Sequence, residues 1–271
     1  MFTNKNLKFA NGTILTGAML HEIYKYPREF FRLIYKDFSD GIICGLDYFM
    51  DEGNLFLSAG IMKLDGEFYF LEKNLNFSLL AEKNNLKTDQ KYYICLNKIS
   101  AVKEPCLTEN NFEIILSQEN NFPTLGQFVF TKIDDFNFPI LIESENPFER
   151  IFDRNAFNVL EVNFAAKGGA TFHPFLFRLV KDFLLKKKDK TPLDYSILTQ
   201  LQNAETISLQ TIKSYIAEEG AEFNSGDRKS LFKIFCDCLV NSKFKLNYSL
   251  KLQEDEGEKN KRKFSPLGKL L

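Results

Sequence analysis

The sequence predicts a multi-part α+β protein: an N-terminal antiparallel β-sandwich followed by a C-terminal α-helical bundle. Three observations predict it. Short apolar runs separated by turn residues fill the stretch from Gly41 to Ile142, with no helical pattern between them. The apolar spacing turns helical from Ala156 onward, and Gln253 to Lys263 is charged and poor in apolar residues. The expected parts are a β-rich domain over 1–150, a helical domain over 151–252 and a charged flexible tail over 253–271.

The first element is the least regular. Gly12 and Gly17 stand five apart and suit a pair of turns. A helical reading is open from Leu20 through Tyr35, where the apolar residues fall in clusters, but Pro27 interrupts it. Proline is tolerated in a first helical turn and not in an interior, so a helix is expected from Pro27 to about Tyr35. Strands are expected at Gly41–Tyr48, at Leu55–Leu64 and, after Asp65-Gly66, at Glu67–Leu71. Asp-Gly between two such runs signals a two-residue hairpin, whose central residues both need positive φ. Tyr92–Leu96, Phe112–Leu116, Phe128–Ile133 and Pro139–Ile142 complete the expected strands.

Helical spacing is expected from Ala156 to Lys187, broken at Gly168-Gly169, with Pro174 opening the second piece and Lys186 to Lys190 closing it. Thr191-Pro192 opens a helix to about Gln202. Ser208 caps one over Leu209 to Glu219 that stops at Gly220, and Asp227 to Asn241 carries the stripe Leu231, Phe232, Phe235, Leu239 and Val240. The last eight residues, Phe264 to Leu271, form a short apolar tag that reads as a frayed end or a docking peptide.

Composition excludes several functions. With 35 basic and 36 acidic residues the net charge is -1, against a protein that binds nucleic acid by neutralising phosphates. The run Lys186-Lys187-Lys188 reads as a solvated helix end. The aromatics are 29 Phe, 10 Tyr and no Trp, which suits core and subunit contacts better than a sugar-stacking platform. No leader and no apolar stretch of about 18 residues is expected, so the chain reads as cytoplasmic, without membrane insertion. Five scattered cysteines do not make a disulfide framework or a zinc site, and they read as reduced and buried.

Catalytic motifs are absent from the sequence. His21 and His173 belong to no metal-ligand or nucleophile arrangement. Asp51-Glu52, Asp134-Asp135 and Glu218-Glu219 are adjacent pairs, which in a strand point to opposite faces. Gly168-Gly169 is no phosphate loop, and Cys44 and Cys95 lie in apolar runs where burial raises a thiol pKa. No catalytic residue, metal site or cofactor is therefore expected.

The stretch from Gly17 to Tyr26, behind Phe9-Ala10-Asn11-Gly12, resembles the opening of type VI secretion baseplate subunits of the TssK kind. Those begin with an aromatic residue, Gly-Met, a Leu and a His-bearing segment that leads to a Tyr. A second likeness, over Asn54–Met62, Gly66–Leu71 and Lys91–Leu96, is to modules near the N-termini of phage tail-fibre and baseplate proteins. The resemblance implies a β-sandwich shoulder related to phage attachment domains, followed by a helical bundle. It implies assembly with other baseplate or tail subunits and a homo-oligomer, with a trimer as in the family. It marks Gly12, Gly17, Met19, Leu20 and Tyr24 as the segment that seats on a partner. Two departures stand out: Glu22 follows His21 where the family often has His-Phe-Gln, and no head domain fits after Asn241.

The expected function is thus a structural component of a contractile injection system or phage-like particle, working by assembly and not catalysis. The alternative is a β-sandwich module that binds carbohydrate or peptide and carries a helical oligomerisation domain. A third reading, a hydrolase whose carboxylates converge only in the fold, has no local support.

Overall fold

The computed structural model describes residues 12, 14 and 16–241, apart from 53, 78, 81–83, 85, 88–89, 99–101, 105–106, 110–111, 120–122, 131–145, 154–156 and 222–226. The expected strand at Pro139–Ile142, the tail and the final apolar tag lie outside the described residues. The chain divides into two compact units, 1–38 and 39–271.

The first unit holds α1 (Gly17–Ile34). The Thr16 hydroxyl accepts from the Met19 N–H at 3.3 Å and starts the helix ten residues before the expected Pro27. Pro27 lies inside it. It therefore supplies no N–H to the Ile23 carbonyl one turn back, and the helix continues in spite of that loss. The pattern from Met19 to Ile34 is strong enough to outweigh one missing bond.

The second unit is an α+β mix in which every pair of named strands runs antiparallel. Its first strands are one long bent hairpin. β1 (Gly41–Gly45) and β2 (Tyr48–Asp51) form one arm, and β3 (Asn54–Leu57) and β4 (Gly60–Leu64) form the other. β1 pairs with β4 and β2 with β3, and both arms bend at the same level. That bend is why the expected single strands Gly41–Tyr48 and Leu55–Leu64 are each two. At the bend the Ser58 N–H donates to the Asp47 carbonyl at 2.9 Å, and Leu46 takes φ 54°. The backbones come so close there that a Cβ on Gly60 would stand 2.6 Å from the Cys44 carbonyl oxygen. Glycine is required by that approach.

β5 (Glu67–Leu71) returns through the expected Asp65-Gly66 turn, with φ 51° and 78°, and pairs with β4. β6 (Leu75–Asn76) adds to β3. β7 (Gln90–Lys98) is the centre of a third three-stranded sheet, after β1-β4-β5 and β2-β3-β6, flanked by β10 (Phe112–Ser117) and β11 (Thr124–Phe130). Between them β8 (Val102–Glu104) and β9 (Leu107–Glu109) form a small hairpin that the sequence pattern did not predict.

Helix does not begin at Ala156. Residues 157–173 run irregularly after a 3₁₀ turn at Glu149–Phe152, held by bridges Gln127–Asn158, Ile42–Phe164 and Phe164–Thr171. Phe157, Asn158, Val159 and Leu160 are all buried, so consecutive residues meet protein on every side and their spacing carries no helical face. The helices proper are α2 (Pro174–Lys186), α3 (Pro192–Asn203), α4 (Leu209–Glu218) and α5 (Arg228–Val240). Each begins where its cap predicts. Thr191 and Asp194 form a reciprocal capping box, Ser208 accepts from Thr211, and Asp227 accepts from Lys229 and Ser230.

Strands and helices of this unit share one core. Leu55, Leu57, Ile94, Phe148, Phe172, Phe177, Phe232 and Phe235 belong to one buried cluster. The Phe172 ring meets Phe232 at 4.9 Å and Phe177 at 6.4 Å. Arg228 pins the start of α5 to the irregular stretch, donating to the carbonyls of Leu160, Val162 and Thr171 while lying over the Phe172 ring. Much of the Phe excess is therefore core, at about 2–3 kcal/mol of transfer free energy for each buried ring.

Candidate functional site

The most exposed apolar surface among the described residues belongs to α1. At 3.6 residues per turn its side chains separate into two halves. Met19, Leu20, Ile23, Tyr24, Tyr26, Pro27, Phe30, Phe31, Leu33 and Ile34 occupy one half. His21, Glu22, Lys25, Arg28, Glu29 and Arg32 occupy the other. No residue of the helix is buried, and Leu20, Tyr24, Phe30 and Leu33 are each more than half exposed. On the charged half Arg32 binds Glu29 at 2.9 Å, and Arg28 reaches across its border to donate to the Tyr24 hydroxyl.

Of the residues marked from the sequence, Gly17, Met19, Leu20 and Tyr24 fall on this helix, and Gly12 lies in a turn before it with φ 85°. Met19, Leu20 and Tyr24 share the apolar half. Gly17 is the first helical residue, and nothing lies near the Cβ it lacks, so its role is small. The sequence reading missed Ile23, Phe30, Leu33 and Ile34. Their spacing shows them, although Pro27 falls between them.

A second locus is a small cavity in the second unit, about 10 Å³, bordered by Asp47, Tyr48, Phe157, His173 and Arg178. His173 caps α2: its Nδ1 accepts from the Phe175 N–H at 3.2 Å, which fixes the proton on Nε2. Nε2 is buried and has no hydrogen-bond partner among the described residues. Burial lowers the His173 pKa to about 4, and the Arg178 guanidinium adds to that, while the Asp47 carboxylate and the Leu46 carbonyl oppose it. Arg178 and Asp47 pair at 3.1 Å and are both substantially exposed. Burial pushes the Tyr48 phenol far up. The imidazole is thus neutral at neutral pH, and its free pair of electrons is used by the backbone.

In the lysine run Lys186 and Lys188 are exposed, as a solvated helix end should be, and Lys187 departs from that reading. Lys187 is mostly buried and donates to Asp194 at 2.7 Å and to the Leu239 carbonyl at 2.8 Å. Asp194 also accepts from the Thr191 N–H and from the Tyr215 hydroxyl at 2.8 Å. Burial, with the Asp194 charge, drives the Tyr215 pKa far up. This network joins α2, α3, α4 and α5, and its partners hold one another.

Cys44 is exposed, not buried, because the irregularity between Ile42 and Cys44 shifts the alternation of β1. Cys95 and Cys236 are buried and free, with thiol pKa raised by that burial. Among the described residues no cluster of three His, Cys, Asp or Glu side chains could hold a metal ion, and no helix is long and apolar enough to cross a membrane.

No family model and no curated protein matches the chain. Among solved structures, a chain of the type VI secretion system TssK-TssF-TssG baseplate subcomplex is similar over 89% of this chain and 98% of its own. The identity is 10% and the TM-score 0.29, values too low to carry an argument about fold or partners.

Proposed function

We propose that the protein is a structural component of a baseplate or tail attachment in a contractile injection system or phage-like particle, acting by assembly and not by catalysis. The observation that carries this reading is α1, an 18-residue helix with a continuous apolar half and no buried residue. Exposed apolar surface of that extent marks a site of interaction. The occupant proposed is a partner protein of the same particle that offers an apolar groove. Two features favour protein over a lipid surface. The cations of the charged half are offset by Glu22 and Glu29, whereas helices that bind anionic membranes carry a strongly basic face. The Ile23 carbonyl, left without a helical donor by Pro27, can be met by a side chain in a protein groove and not by acyl chains.

The finer architecture belongs to the same proposal: the antiparallel sheets act as a sandwich-like shoulder and α2 to α5 as the bundle that holds copies together, in the cytoplasm, as a homo-oligomer with a trimer first to be tested. The ligand-binding alternative calls for a concave site lined by tyrosines and polar groups. A groove of about 460 Å³ is bordered by Phe68, Tyr69, Phe70, Phe112 and Glu72, with a single tyrosine among them.

The test is co-expression with the proteins encoded beside this one, followed by purification of the complex. A stable complex with one of them is expected, and Ile23→Glu combined with Phe30→Glu should abolish it at unchanged melting temperature. A wild-type chain that binds none of these proteins, or a double variant that binds as well as wild type, overturns the reading.

A further inference from the structure

The start of α2 is built differently from those of α3 to α5. Pro174 opens the helix and brings no N–H of its own, so the first helical donor that needs a partner is the Phe175 N–H. His173 meets it through Nδ1 at 3.2 Å. Thr191, Ser208 and Asp227 cap the other helices with short side chains. An imidazole reaches further and has two poles: with Nδ1 accepting, the neutral ring carries its proton on Nε2, on the far edge from the helix. That second pole has to be accounted for. His173 is 2% exposed, and Nε2 has no hydrogen-bond partner among the described residues.

A buried N–H left unpaired is costly, and native proteins pair nearly all of them with protein or with an ordered water. Groups of the chain near the ring do not supply the partner. The Phe164 ring stands edge-on with its centroid 6.1 Å from that of the imidazole, too far for the N–H to rest on its face. The Leu46 carbonyl and the Asp47 carboxylate lie close enough to favour a proton on the ring, yet neither bonds Nε2 directly. Beside the ring is space of a definite size. The cavity that His173 shares with Asp47, Phe157, Val159 and Arg178 measures about 10 Å³. One water needs roughly 10–15 Å³ on that scale, and two to four polar partners. Phe157 and Val159 are buried, whereas Asp47 and Arg178 are substantially exposed, so the cavity opens to solvent.

We propose that this cavity is a binding site for one water molecule, which accepts from His173 Nε2–H and donates to the Leu46 carbonyl and the Asp47 carboxylate. The water joins the cap of α2 to the bend between β1 and β2, where Leu46 takes φ 54°. It stands beside the direct tie between the same two elements, the Asp47–Arg178 pair at 3.1 Å. It also fixes the tautomer. With Nε2–H engaged, the lone pair of Nδ1 stays turned to the Phe175 N–H, so the helix start depends on a molecule drawn from solvent. A serine or aspartate in place of His173 would cap α2 and leave the bend without this link.

The test uses the full chain, labelled at the histidine nitrogens for NMR at neutral pH. The other histidine, His21, is exposed, and its ring proton should exchange with bulk water too fast to be seen. His173 should show a protonated Nε2, an unprotonated Nδ1, and cross-relaxation between the Nε2 proton and a bound water. A crystal structure that resolves ordered waters should place one within hydrogen-bond distance of Nε2 and of the Leu46 carbonyl. Val159→Ile adds to the cavity wall one methyl group, roughly the volume of a water. It should abolish the water signal while Nδ1 still accepts from Phe175. A wild-type ring with no bound water, a direct bond from Nε2 to the Leu46 carbonyl, or a Val159→Ile variant that keeps the water signal each overturn the proposal. If that variant folds poorly, the two wild-type measurements decide.

Discussion

Helices α1 and α5 both carry apolar residues at helical spacing, and the two have opposite fates. α5 buries Leu231, Phe232, Phe235, Cys236 and Leu239, whereas α1 buries nothing while showing ten large apolar residues on one half. α5 has other helices of its own unit to pack against, whereas α1 is the one named element of the first unit among the described residues. Phe235 meets Tyr215 of α4 edge-on at 5.4 Å and Phe232 at 6.1 Å, while Phe30 of α1 is 56% exposed. An amphipathic stripe states that a helix wants a neighbour. It does not state whether the neighbour is in the same chain.

The largest break in that comparison comes from Phe235→Ala. It removes a fully buried ring from a packed core and should cost about 3–5 kcal/mol, seen as a fall in denaturation midpoint with little change in slope. The same truncation at Phe30 should cost under about 0.5 kcal/mol, as for other exposed sites. Equal costs would mean that α1 is packed in solution.

The end of α5 offers the next test. Its Leu239 carbonyl is held by Lys187, which Asp194 holds in turn. Asp194→Ala should cost about 3 kcal/mol, because it strands a mostly buried ammonium and the Tyr215 hydroxyl in one step. Asp194→Asn should cost less, since it keeps an acceptor for one of them. Urea titration of both variants checks the order.

Legibility in the sequence followed the same division. The starts of α2 to α5 were readable because capping is local: Pro174, Thr191-Pro192, Ser208 and Asp227 act within four residues of themselves. The Asp65-Gly66 hairpin was readable for the same reason. What failed was decided at a distance. The bend that divides the first strands depends on Leu46 meeting Gly60, the coil at 157–173 on burial from all sides, and Lys187 on a carbonyl 52 residues away. The apolar half of α1 is half visible in the sequence: Met19, Leu20 and Tyr24 are marked and a helical reading is open from Leu20, but Pro27 interrupts it.

Caps sharpen the comparison further. α1 starts on the exposed Thr16 hydroxyl, whereas α2 starts on the buried imidazole of His173. Because the folded pKa is about 4 and an unfolded histidine titrates near 6.5, the unfolded chain takes the proton first as pH falls. The stability tied to the neutral ring is complete above pH 6.5 and is lost down to about pH 4, on the order of 3 kcal/mol in all. Asp47, Tyr48 and Arg178 face the ring, and none offers protonated Nδ1 a way to keep accepting from Phe175. His173→Asn keeps a capping acceptor and should flatten the fall in midpoint between pH 6.5 and 5. A wild-type profile that is already flat there would show the ring to be accessible.

The smallest effect on stability should come from Ile23→Glu with Phe30→Glu, and it is the most informative about function. Both residues lie near the middle of the apolar half of α1, at 45% and 56% exposure, so charge there disturbs no core. The expected shift in melting temperature is within about 1 °C, since exposed substitutions change stability by no more than about 0.5 kcal/mol. Against a partner groove the same two carboxylates would each be buried without a counter-charge, a penalty of several kcal/mol that should reduce affinity at least a hundredfold. Titration calorimetry against the co-purifying partner reads that ratio directly. A large loss of affinity at constant melting temperature is the signature of a face kept for another protein. A large fall in melting temperature would place α1 with α5, as a helix whose neighbour is its own chain.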